Sequence, residues 1–209
     1  MMISEGSSLT RSPNFILGLT GSIAMGKTTV SNMFRDIGIP VWCADNEVNI
    51  LYSKDGAATK IFTKKFPNVV TEEGIDKVQL RDLIHEDNEI LRKVEVIVHP
   101  LLHKSRTDFM KINRKAPIII FDIPLLFEKN QEGTFDAVAV VTASEVTQKN
   151  RVLKREGMSE KDFLLIKRNQ LDEEEKLKRA DFILNTDKVL LETRQDVQEL
   201  YKKIKDLRG

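Results

Sequence analysis

Residues 17–34 read LGLTGSIAMGKTTVSNMF, and the fold turns on this stretch. Gly21-Ser22-Ile23-Ala24-Met25-Gly26-Lys27-Thr28 matches G-x-x-x-x-G-K-[ST] at every fixed position. The short apolar run Phe15 to Leu19 precedes it. Helical spacing follows from Lys27 to Asp36, with Val30, Met33, Phe34 and Ile37 on one side. A glycine turn between strand and helix points successive N–H groups into one concavity, and the helix adds the positive end of its dipole. In such a loop Lys27 reaches the β- and γ-phosphates of a nucleotide and Thr28 offers its hydroxyl to Mg²⁺. The backbone from Gly21 to Thr29 is therefore the expected phosphate cradle.

Outward from the loop, the pattern alternates strand and helix. Gly38 and Pro40 stop the first helix, and Val41 to Cys43 is a brief second strand. Ile118-Ile119-Ile120-Phe121-Asp122 is a continuous apolar run, as expected of a strand buried on both faces of a parallel sheet. Phe135 to Thr142 is another, and Asp181 to Asn185 a last short one. Val189 to Leu207 reads as a closing amphipathic helix. The expected architecture is α/β: a P-loop NTPase-type parallel sheet flanked by helices. Two helical blocks interrupt it. The expected division is a loose polar tail over 1–14, a nucleotide-binding core over 15–52, 113–143 and 180–209, a helical insertion over 53–112, and a helical lid over 144–179. Pro100 is expected to kink or break the long helix in the insertion.

Composition narrows the function classes. Hydrophobic residues make up 41% and charged residues 31% of 209, enough for a core and typical of a globular protein. A net charge of +1 gives no overall bias towards nucleic acid or an anionic membrane, so an anionic ligand needs a local site. No run approaches the ~18 apolar residues of a membrane span, and the polar tail lacks a signal-peptide core. With a single cysteine, Cys43, in an apolar run, the expectation is a cytoplasmic protein without disulfides. A guanine switch is disfavoured: N-K-x-D is absent, and Asp122 is followed by Ile-Pro-Leu, not by x-x-Gly.

Three further stretches carry chemistry. Asp45 follows the second strand, on the ligand-binding edge of a parallel sheet, where it is placed to take a proton from a substrate hydroxyl; it also reads as a helix cap. His99, in VHPLL, alone reads as a packed helical histidine. Asp122 opens DIPLLFE after the buried strand, as a second acid near the metal or as a turn residue.

GLTGSIAMGKTTV, Ala44-Asp45, VHPLL and DIPLLFE stand in the order and spacing of dephospho-CoA kinases. Gln148-x-x-Arg151-x-x-x-Arg155, Arg168-Asn169-Gln170 and Ala180-Asp181-Phe182-Ile183-Leu184-Asn185 resemble that family's lid and last strand. The resemblance covers about residues 15–207. It implies transfer of the ATP γ-phosphoryl group to the ribose 3′-hydroxyl of dephospho-coenzyme A, the last step of coenzyme A synthesis, with Mg²⁺ as cofactor. It also implies roles. Lys27, Asp45, Arg151 and Arg155 are the catalytic set. Thr28 holds the metal with water-mediated help from Asp122. His99, Arg106, Asp45 and Asp122 meet the acceptor, and Asn185 meets the adenine. The family often has glycine at Ala24, which calls for a backbone open to alanine there, and usually arginine at Lys77. Two alternatives stay open: a kinase of another nucleoside or nucleotide, and an ATP-binding sensor or scaffold that transfers nothing. Oligomeric state is not legible.

Overall fold

The computed structural model describes residues 14–155 and 157–207, except the side chain of Asn88. The tail expected over 1–14 thus lies outside the described residues, apart from Asn14. That residue is buried, and its amide donates to the carbonyl of Asn113 (2.9 Å).

Five parallel strands form the sheet: β1 (Phe15–Thr20), β2 (Val41–Cys43), β5 (Ile118–Asp122), β6 (Ala137–Thr142) and β7 (Phe182–Asn185), in the spatial order β2-β5-β1-β6-β7. Every residue of β5 and β6 is buried. Side chains alternate across a strand. Ile118 and Ile120 accordingly enter the core under α1 (Lys27–Asp36) and α9 (Leu190–Asp206), with Phe34, Val197 and Ile204. Ile119 and Phe121 enter the opposite face with Trp42. Two wet-free faces explain the unbroken apolar runs. Each buried Ile or Phe there contributes about 1.5–3 kcal/mol.

Between β2 and β5 stand four helices: α2 (Ala44–Tyr52), α3 (Ala57–Lys65), α4 (Lys77–Glu86) and α5 (Asn88–Ile112). They share a core of their own around Phe62, Leu80, Val94 and Ile97. Two departures from the sequence reading occur here. A hairpin, β3 (Val70–Thr71) with β4 (Gly74–Ile75), was not expected; strands of two residues carry no periodicity. Of the kink or break expected at Pro100, the break does not occur: α5 continues through it. Pro100 cannot bond back to the Val96 carbonyl, but both residues are exposed on the solvent side, while Val94, Ile97 and Val98 hold the helix down. The C-terminal half of α5 leaves the insertion core, and its Phe109 and Met110 pack on the sheet.

After β6 come α6 (Glu145–Leu153), α7 (Glu160–Arg168) and α8 (Glu173–Arg179). Leu177 and Ala180 pack on Leu126, Phe127 and Val138, so α8 is fastened to the sheet rather than to the arginine-bearing helix. Among the described residues no helix is long and apolar enough to cross a membrane.

Candidate active site

All five strands of the sheet point their carboxyl ends to one edge, where ligands bind in open α/β sheets. The loop after β1 sits at its middle. Gly21 has no room for a side chain: an added Cβ would lie 2.5 Å from the Val141 carbonyl oxygen of β6. Ala24 (φ 60°) and Gly26 (φ 94°) are left-handed and curl the loop round. The expectation of a backbone open to alanine fails at Ala24. Alanine there carries a steric cost of roughly 1–2 kcal/mol, and its methyl is held in a small cluster with Val152 of α6 and Phe163 of α7. Gly26 is the N-cap of α1, with no side-chain cap bond and no acidic residue in the first turn. The first N–H groups and the dipole end are thus left to an anion.

A cleft of about 820 Å³ opens over this loop, lined by Gly21 through Thr29, Asp45, Pro124, Arg151, Arg155 and Thr186 among others. Lys27 lies along the wall and ion-pairs with Asp122, which also accepts from Ser31 Oγ (2.7 Å). Asp122 is 2% exposed and lines neither the cleft nor the cavity beside it. The expected direct contact of Asp122 with substrate is therefore not what the structure has: its carboxylate stands behind Lys27 and aims the ammonium.

Asp45 occupies the first turn of α2, whose N-cap is Cys43. It is not the cap. Its carboxylate is exposed and makes no hydrogen bond among the described residues, so it faces the cleft unengaged. Burial pushes the Cys43 thiol up, in keeping with a packing role.

The two arginines differ. Arg151 is engaged: it donates to Thr186 Oγ1 (2.8 Å), to the Thr186 carbonyl (2.7 Å) and to the Ala24 carbonyl (3.4 Å). Arg155, one turn on, lines the same cleft, is exposed, and has no side-chain partner among the described residues. Two glutamines clamp the loop. Gln148 Nε2 donates to the Ile23 carbonyl (2.9 Å), and Gln170 Oε1 accepts from the Ile23 N–H (3.0 Å).

Asn185 is not in the cleft. Its side chain accepts from the Asp187 N–H (2.8 Å) and shapes the turn after β7. The next residues line the cleft instead: Thr186, Lys188, Val189 and Leu190. Val189 and Leu190 are 66% and 68% exposed, an apolar shelf at the rim fit for a flat base. They were missed because the motif led to the strand end, one residue short.

Under the loop lies a network that the sequence reading did not reach. Ser22 Oγ donates to Glu173 Oε2 (2.9 Å) and accepts from Lys176 Nζ (3.0 Å). Lys176 is fully buried and pairs with Glu128 (2.8 Å), the last residue of DIPLLFE. The signal was there: Glu173, Lys176, Leu177 and Ala180 recur at i, i+3, i+4 and i+7, one face of a helix hidden in a charged run. Burial pushes the Glu128 carboxyl up, but Lys176 and the Leu171 N–H outweigh it and hold it below the ordinary range near 4.5. A depressed folded value gives stability that is complete above the ordinary value and lost as pH falls through the folded one. Thermal scans between pH 6 and 3 are therefore expected to show a steeper acid loss in the natural chain than in Glu128→Gln; equal slopes would remove Glu128 from the acid limb.

Beside the cleft is a cavity of about 370 Å³, lined by Trp42, Ala44, His99, His103, Arg106, Lys129 and others, and it shares Pro124 with the cleft. His99 is exposed there, 3.8 Å from Glu95, not packed. Arg106 lays its guanidinium 4.4 Å from the Phe121 ring centroid and 5.0 Å from that of Phe135, and burial pushes its pKa down. Stacked this way, it is a cation held against two aromatic rings of the wall. Lys77 lies outside both cavities and bonds to Asn49.

Among the described residues no cluster of three His, Cys, Asp or Glu forms a metal cage. Oxygens near the loop include the exposed Thr28 hydroxyl and, behind Lys27, Asp122. Few protein oxygens completed by phosphate and water are what Mg²⁺ accepts, so the donor set fits that ion.

The family profile described as dephospho-CoA kinase matches residues 15–192. The dephospho-CoA kinase of Jannaschia sp. is 44% identical over 191 residues, covering 91% of this chain and 97% of that relative. That of Ruegeria pomeroyi is 42% identical over 191 residues, covering 91% and 96%. A Thermus thermophilus protein of solved crystal structure superposes with a TM-score of 0.78 at 30% identity, over 94% of this chain and 98% of that one. With the phosphate loop, the flanking carboxylate and the helical insertion in these places, the chain belongs to the dephospho-CoA kinase family.

Proposed function

We propose that the chain transfers the γ-phosphoryl group of ATP to the ribose 3′-hydroxyl of dephospho-coenzyme A in the cytoplasm, releasing ADP and coenzyme A. The observation that carries this reading is the shared wall. The phosphate loop, Asp45 and Arg155 line one cleft, and Pro124 joins it to a cavity with cationic groups from the insertion. A sensor has no need of an unengaged carboxylate facing the phosphates.

In this reading the loop N–H groups and Lys27 hold the triphosphate, and Val189 and Leu190 cover the base. Asp45 orients the 3′-hydroxyl and accepts its proton. His99 and Arg106 hold the anionic part of the acceptor. Mg²⁺, when bound, would neutralise charge on the β- and γ-oxygens, with Thr28 and, through water, Asp122 as its protein partners. The insertion over 53–112 presents the acceptor. The proposed lid is the α6 end and α7, narrower than 144–179, since α8 packs on the sheet.

The test is ADP release with dephospho-coenzyme A, adenosine, AMP or pantetheine phosphate as acceptor. Release with dephospho-coenzyme A alone is expected. Turnover of AMP or adenosine would make the chain a different nucleotide kinase. ATP binding with no acceptor-dependent turnover would make it a sensor.

Arg151 and Arg155 now separate. Arg155 is free to meet phosphoryl oxygens only when both substrates are present, so Arg155→Ala is expected to lower the maximal rate more than ATP affinity. Lysine at 155 restores it only in part, lacking the guanidinium fork. If titration shows weaker ATP binding accounting for the whole loss, Arg155 has no special part in the transition state.

A further inference from the structure

Lys176 is the one lysine or arginine among the buried polar residues described, at 0% exposure. Ammonium groups are almost never fully buried unless paired, and a buried pair often stabilises no more than apolar residues of equal volume would. Stability alone is thus a weak reason for this cation. Its neighbours suggest another. Its ammonium reaches Glu128 (2.8 Å) on one side and the Ser22 hydroxyl of the phosphate loop (3.0 Å) on the other. Ser22 in turn donates to Glu173 (2.9 Å), and one turn earlier Gln170 holds the Ile23 N–H (3.0 Å). Among the described residues, one buried oxygen each of Glu128 and Glu173 has no hydrogen-bond partner.

We infer that Lys176 is a positioning residue: pinned by Glu128, it fixes the phosphate loop through the Ser22 hydroxyl and sets the loop's phosphate-binding frame. The cation also offsets the two carboxylates that would otherwise repel a phosphate above them. The inference rests on the loop's binding ATP, as proposed above.

Ser22→Ala cuts the link to the loop and leaves the Lys176–Glu128 pair intact. Its melting temperature is expected to stay near that of the natural chain, while ATP affinity and maximal rate each fall roughly tenfold. Lys176→Met with Glu128→Gln removes the ion pair as a whole, and Glu173 keeps its bond from Ser22. It should show the same loss, and adding Ser22→Ala to it should cost nothing more, since all three act as one unit. Normal ATP affinity and rate in Ser22→Ala, or losses that multiply in the triple variant, would overturn the inference. Should the charge-free pair fail to fold, Ser22→Ala alone decides. ATP affinity is read by titration without acceptor. A natural chain inert towards dephospho-coenzyme A would therefore refute the proposed reaction while leaving this test standing.

Discussion

Asp45→Asn is expected to lower turnover by about 10²–10⁴-fold, the usual range for loss of a general base, with ATP affinity nearly unchanged. The amide still hydrogen-bonds an acceptor hydroxyl but cannot take its proton. The fold is expected to survive, because Asp45 is exposed, makes no hydrogen bond among the described residues and does not cap α2. The measurement is steady-state ADP release beside a direct ATP titration. Near-normal turnover in a folded variant would reduce Asp45 to a charge that favours the helix dipole.

Lys27→Ala is expected to lower turnover by roughly 10²–10³-fold, as for loss of one donor aimed at developing charge. Here the structure adds a cost the loop motif does not show. The Lys27 and Asp122 side chains are 13% and 3% exposed, so removing the ammonium strands a buried carboxylate with Ser31 as its remaining side-chain partner. Breaking a buried pair costs about 3–5 kcal/mol, and each kcal/mol lowers the melting temperature by about 2–4 °C in a chain of this size. Lys27→Ala should therefore melt early, and Lys27→Ala with Asp122→Asn should recover stability but not turnover. Thermal melts and ADP release on both variants check this. Recovery of turnover with stability would mean that Lys27 only props up Asp122.

The sheet was legible because its strands are buried on both faces. Ile118 to Asp122 and Ala137 to Thr142 have no polar side to confuse their period, and the phosphate loop fixes what stands before and after it. What escaped depends on partners distant in sequence. Val70–Thr71 and Gly74–Ile75 pair across a two-residue turn, and pairs that short are set by the surrounding helices. Asn185 ends the last strand as expected, yet the turn it shapes hands the cleft to Thr186, which binds Arg151 and the Met25 carbonyl. Arg151 and Arg155 look equivalent on a helical wheel, and only Thr186 tells them apart. Lys176 lies among Glu173, Glu174, Glu175 and Lys178, and a run of charges reads as solvated until a carboxylate 48 residues away, Glu128, is folded against it. Ala24 shows the converse: a residue that looked compatible with its backbone proves to be held at φ 60° by its packing against the lid helices.

The most direct test of the transfer is to follow the label from ATP carrying radioactive phosphorus at the γ-position, with dephospho-coenzyme A as acceptor. The label is expected in coenzyme A, at a ribose phosphate that a 3′-nucleotidase releases, and in stoichiometry with ADP. Label recovered as inorganic phosphate, at another position of the acceptor, or in equal amount without acceptor would contradict the account.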